Sequence, residues 1–186
     1  MVATDRQRFQ YRIDHNDNIV WVNSWWLAFA RENDAVELAD PAFLGQSLWD
    51  SIADEQTLEL YQEIHTHVRG NDQTRVVPFR CDSPTVRREM QLFITGSSDN
   101  DDLLYEGRML RATPTRYSPM LDVRRPRLDA FLSICSCCKR VLLESHGWLA
   151  VDEVCEKLRL DVKEKLPSWR QTLCQQCREY AIESVN

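Results

Sequence analysis

Two C-x-x-C pairs constrain this chain more than any other feature. Cys135 and Cys138 form the first, in "CSCCK", and Cys174 and Cys177 the second, in "CQQC". A C-x-x-C turn directs two sulfurs to one side of a tight knuckle. Two knuckles supply the four thiolates of a closed tetrahedral site, with metal–sulfur distances near ~2.3 Å for zinc. The pairs are separated by 35 residues, more than the ~15–20 of a compact ribbon, so the interval must hold structure of its own. "KRVLL", "ESHG" and "WLA" read as a hairpin. In "VDEVCEKL", Val151, Val154, Cys155 and Leu158 recur at helical spacing on one face. Cys155 is therefore expected in a core, not among the ligands. Cys137 either points away from the site or replaces a neighbour. His146 is a turn histidine or a further ligand. A small core of free thiols, or a redox or iron–sulfur site, stand as alternatives to structural zinc at Cys135, Cys138, Cys174 and Cys177.

The chain has 186 residues, 43% of them hydrophobic, with six tryptophans, enough for one medium domain or a domain with a small appendage. No apolar run approaches the ~20 residues of a membrane helix. "MVATDRQRFQYRID" carries no apolar signal core, so a cytoplasmic protein is expected. Thiols there stay reduced, which favours metal or redox chemistry over disulfides. Residues 1–123 hold 12 Lys and Arg against 20 Asp and Glu, and residues 124–186 hold 11 against 9. The acidic front is a poor match for nucleic acid. The basic cluster "VRRPR" at 123–127 reads as a solvated linker.

"FQYRID" and "IVWVN" read as strands of a hairpin around the turn formers "HNDN". "SWWLAFARENDA" reads as a helix capped by Asn23 or Ser24. Pro41 and Gly45 reduce "DPAFLGQSLWDSI" to short helical turns. "DEQTLELYQEIHTHVRG" is the clearest long helix, capped by Asp54 and ended by Gly70. Leu58, Leu60, Tyr61, Ile64, His65 and Val68 share its apolar face. "TRVVPFRCD", "REMQLFITGS" and "LLYEGRMLRATP" read as three further strands, joined by the "DSPT" turn and a polar loop at 97–102. The expected fold is α+β: an antiparallel sheet with helices on one face, then a small zinc-ribbon-like cysteine module with helices. The expected units are 1–115, a connecting segment 116–134, and 135–186.

The order of these elements, with "YRIDHNDNIVWVNSWWLAFA", "FLGQSLWDSI" and "PFRCDSPTVRREMQLFIT", resembles a PAS domain over about residues 8–115, in a bacterial subgroup with an "RCDSP" turn. The tail resembles a small tetracysteine module found beside bacterial sensory domains. In that pattern Cys135, Cys138 and Lys139 are followed by Trp148, Asp152 and Glu153, and then by Cys174 and Cys177. Cys137 departs from the aromatic common in that family, as does "RQTLCQQC" from its usual "GICP" lead-in.

The resemblance implies a signalling protein that binds a ligand or a protein partner and forms a homodimer. Trp21, Trp25, Trp26, Phe29, Trp49, Tyr61, Phe79 and Phe93 can line or fill a space between sheet and helices. The expected pocket set is Trp25, Phe29, Trp49, Tyr61, His65, Phe79 and Phe93. Haem on a helix histidine, with His65 on the apolar face, is the specific cofactor alternative. Arg80, Asp82, Arg87 and Arg88 around the "DSP" turn form a surface ion-pair cluster or an anion site. The sequence shows no G-x-S-x-G, phosphate loop, H-E-x-x-H or kinase segment, so the expectation is a binding protein and not an enzyme. The alternatives are a thiol redox switch that releases metal, with Cys137 or Cys155 taking part, and nucleic-acid binding through "RRPR".

Overall fold

The computed structural model describes residues 8–32, 40–70 and 72–183. Strands β1 (Arg8–Ile13) and β2 (Ile19–Val22) pair antiparallel. The turn between them is built by Asp14, whose carboxylate accepts the amides of Asn16 and Asn18 at 2.9 Å each. Helix α1 (Ser24–Glu32) follows. Of its two candidate caps Asn23 serves, accepting the Trp26 amide at 2.8 Å. The helix is described as far as Glu32, and its expected continuation to Ala35 lies outside the described residues.

Helix α2 (Glu55–Val68) begins where the sequence places it, with the Asp54 carboxylate accepting the Thr57 amide at 2.8 Å. It ends at Gly70, whose φ of +66° is a left-handed conformation that glycine adopts without strain. Strands β3 (Thr74–Arg80), β4 (Val86–Gly96) and β5 (Leu103–Pro114) complete a five-stranded sheet in the order β2-β1-β5-β4-β3, antiparallel throughout. Alternation along the strands puts Tyr11, Ile13, Met90, Leu92, Ile94, Leu103 and Tyr105 on the inner face. There they pack in one core with Leu60, Ile64 and Val68 of α2. Gly107 lies opposite Phe9 in the β1–β5 ladder, and a Cβ on it would sit 1.9 Å from the Phe9 ring.

Residues 127–134 were expected to belong to a connecting segment. They form instead most of β6 (Arg127–Cys135), an inner strand of a second sheet. That sheet runs β8-β7-β6-β9. Strands β7 (Val141–Leu143) and β8 (Gly147–Leu149) are the expected hairpin, and α3 (Val151–Lys157) the expected helix. Strand β9 (Leu166–Thr172) then runs parallel to β6, and α4 (Gln175–Glu183) leaves its end. A parallel pair needs a crossover of a dozen or more residues. The hairpin and α3 are that crossover, which accounts for the long interval between the cysteine pairs. Val151, Val154 and Cys155 bury themselves with Met120, Ile134, Val141, Leu160 and Leu166 in a second core. Among the described residues, no helix is long and apolar enough to cross a membrane.

Candidate metal centre

The parallel pairing of β6 and β9 builds the cysteine site. Cys135 lies opposite Thr172, so both strands end at the same level and both knuckles emerge side by side. After Cys135 the chain turns tightly. Lys139 takes a φ of +59°, its amide donates to the Cys135 carbonyl at 3.0 Å, and the Cys135 amide donates to the Arg140 carbonyl at 2.8 Å. After β9, Cys174 opens α4, its carbonyl accepting the Arg178 amide at 3.1 Å, and Cys177 sits in the first turn. Thiolates near a helix N-terminus are favoured by its unpaired amides.

The Sγ atoms of Cys135, Cys138, Cys174 and Cys177 all lie within 4.8 Å of one another. Those of Cys138 and Cys174 are 3.7 Å apart. A tetrahedron with metal–sulfur bonds of ~2.3 Å has edges of ~3.8 Å, so the four sulfurs enclose the volume of one ion. The Cys174 amide points at the Cys135 sulfur at 3.4 Å. Hydrogen bonds from the Cys138 and Cys177 thiols, with that amide, hold the Cys135 thiol far below its usual range. The same bond to Cys135 pushes the Cys138 thiol up to about 11, and raises that of Cys177 further. The packed thiols thus accept one negative charge and resist more until a positive ion compensates them. This donor set can hold a metal ion.

Cys137 is buried beside the cluster, facing Tyr61 and within hydrogen-bonding reach of the Cys177 thiol. Cys155 is buried in the second core, with the Ser118 hydroxyl 3.6 Å from its sulfur. The exposed His146 pairs with Ser145 at 2.7 Å. No disulfide joins any of the seven cysteines.

The first knuckle is embedded in the first unit. The Ser136 hydroxyl donates to the Asp54 carboxylate at 2.7 Å, and the Thr57 hydroxyl to Ser136 at 3.1 Å. The Arg80 amide donates to the Cys137 carbonyl at 2.7 Å, and its guanidinium to the Cys138 carbonyl at 3.1 Å while it pairs with Asp82. At the second knuckle the Gln56 side chain accepts from the Thr172 hydroxyl and the Leu173 amide, at 3.1 and 3.3 Å.

Under α2 lies a cavity of about 260 Å³, lined by Tyr11, Trp26, Phe43, Leu48, Tyr61 and Leu92 among others, with Gln171 of β9 at its edge. Of the expected pocket residues only Tyr61 lines it. Trp25 is 45% exposed, because Phe9 and Tyr11 engage its neighbour Trp26, at ring distances of 5.8 and 4.8 Å. Phe93 is on the opposite face of the sheet from Leu92 and Ile94, under the Arg108 guanidinium at 3.9 Å. Phe29 stacks on Phe9 at 5.0 Å, and Phe79 packs against the same core. Trp49 donates its indole N–H to Asp17 at 3.1 Å. Strict strand alternation would have found Phe93's side and exposed Tyr11 and Leu92 as the true lining. Phe43 and Leu48, in irregular turns, carry no such periodic signal.

His65 is not a haem ligand in this arrangement. Its Nδ1 lies 2.9 Å from Asp17 and its Nε2 is hydrogen-bonded to the Tyr105 hydroxyl, so both nitrogens are engaged. Arg69 also pairs with Asp17, which makes the group a buried brace between α2, the first turn and β5. The "RRPR" arginines also have partners within the chain. Arg124 binds Asp122 at 2.9 Å, Arg125 the Lys163 carbonyl at 2.5 Å, and Arg127 lies 4.2 Å over the Trp169 ring. No protein-family model matches the sequence, and no curated protein is significantly similar to it.

Proposed function

We propose that this chain is a non-catalytic regulatory protein, in which a PAS-like unit binds a ligand or docks a protein partner and a zinc-holding tetracysteine unit transmits the event. Two strands, helices and three strands in one antiparallel sheet support the PAS-like reading. The closed four-thiolate arrangement favours zinc in a structural role, since no fourth position is left open for a substrate. The observation that carries the proposal is the embedding of the first knuckle in the α2 and β3 termini. A metal module fused to a core with its own cavity is suited to relaying a change in one to the other. Cytoplasmic residence, where thiols stay reduced, and self-association as a homodimer belong to the same reading.

Elemental analysis and an absorption spectrum on protein purified without added metal test it. About one zinc per chain and no visible bands are expected. Iron bands, haem bands or metal-free folded protein would overturn the zinc reading. Nucleic-acid binding is disfavoured by the acidic balance of residues 1–123 and the pairing of Arg124 with Asp122, and a redox relay through Cys155 by its burial in the second core.

A further inference from the structure

A cleft outside the metal centre lies between the two units. Its volume is about 530 Å³, within the range of small-molecule sites. One wall is the "DSP" turn and the stretch from Thr115 to Leu121, and the other is α3 with the turn after it. The first wall is fixed in place. The Thr115 amide donates to the Thr85 carbonyl at 2.8 Å, and the Ser118 amide to the Pro84 carbonyl at 2.7 Å. Arg80 and Asp82, which the sequence offered as an anion site, pair with each other, and Asp82 also accepts the Arg88 amide at 3.1 Å. They brace the wall and leave other side chains to face a ligand.

The floor is apolar, with Leu121, Val151 and Cys155 lining it. Around it stand three cations, Arg87, Arg116 and Arg159, and three anions, Asp152, Glu156 and Asp161. Arg87 lies 3.6 Å from Glu89, and Arg116 lies 3.7 Å from Glu156 across the mouth, both pairs widely exposed. Such pairs contribute about 0–1 kcal/mol and exchange readily for a ligand's charges. A ligand bearing only a carboxylate meets the three acids, and one bearing only an amine meets the three arginines. A zwitterion satisfies both sets at once, and the floor takes an apolar body. We infer that this cleft is a binding site for an α-amino acid zwitterion with an apolar side chain. The inference is independent of which metal the cysteines hold.

Calorimetric titration of the full, metal-loaded chain with L-phenylalanine tests it, alongside amide chemical shifts. Phenethylamine and 3-phenylpropanoate, which keep the body and lose one charge each, are the controls. Saturable one-to-one binding of L-phenylalanine is expected, with both controls at least about tenfold weaker. Shift changes should centre on residues 115–121 and 151–161. Arg116→Gln and Glu156→Gln, at exposed positions that leave the fold intact, should each weaken binding about two- to fivefold. Either control binding as well as the amino acid, shifts centred on Tyr11, Trp26 and Tyr61, or no saturation at millimolar ligand would each overturn the assignment.

Discussion

Ser136, the residue after the first cysteine of the four-sulfur cluster, hydrogen-bonds through its hydroxyl to the Asp54 carboxylate at 2.7 Å. Asp54 is at the same time the N-cap of α2 through its other oxygen. The first knuckle of the candidate metal centre and the helix that roofs the apolar cavity therefore share one carboxylate. Thr57, one turn into α2, bonds to Ser136 and also lines the cavity.

Metal removal should therefore loosen α2 as well as the cysteine module. Chelation at neutral pH is expected to raise hydrogen exchange at the Thr57 and Arg80 amides, which are bonded to Asp54 and Cys137. Cys174→Ser should mimic this and destabilise the chain by about 3 kcal/mol or more, because metal binding and folding are linked. Unchanged exchange at both amides after complete metal loss would show that the units are energetically separate.

Ser136→Ala removes the hydroxyl without touching a sulfur. The expected cost is about 1–2 kcal/mol, from a lost charge-assisted hydrogen bond and a weakened cap. Metal content should be unchanged. A double-mutant cycle with Asp54→Ala measures the shared term, and a coupling near zero would show that the contact contributes nothing.

His65 makes stability depend on pH. Burial lowers its pKa to about 4, and the Asp17 carboxylate only partly offsets that. The unfolded chain, with a histidine pKa near ~6.5, binds the proton first. Stability is therefore full above ~6.5, falls as the pH drops towards ~4, and levels off below. The loss should be on the order of a few kcal/mol. Denaturant melts of the wild type and His65→Gln, compared across that window, isolate this group from acid release of the metal. Parallel profiles would remove His65 as the cause.

Gly107→Ala should destabilise by about 1–3 kcal/mol through overpacking. The added methyl would collide with the Phe9 ring, itself stacked on Phe29 and unable to yield freely. Phe9→Leu in the same background should recover part of the loss. Thermal melts of the three variants measure both effects.

Local signals were legible in the sequence wherever a backbone rule governed them. Asp54 and Gly70 delimit α2 because a carboxylate must cap its free amides and a left-handed residue must end it. β5 spans the residues its apolar run indicates, and the four cysteines are legible from their spacing. The pocket was not legible, because a list of aromatics says nothing about direction. Trp25 and Trp26 are neighbours in sequence yet point about 100° apart on a helix, and only contact with Phe9 and Tyr11 decides which is buried.

The sequence by itself determined the donor set, the helix limits and the alternation of the long strands, since each depends on residues within a turn or a strand of one another. Tertiary structure alone decided that "RLDAFLSIC" is an inner strand and not a linker, and that it lies parallel to β9. Parallel pairing joins residues some forty positions apart through backbone amides, which leave no mark in side-chain identity. It likewise decided that Cys137, adjacent to Cys138, is buried between Tyr61 and the Cys177 thiol, because the knuckle docks on Arg80 and Asp54.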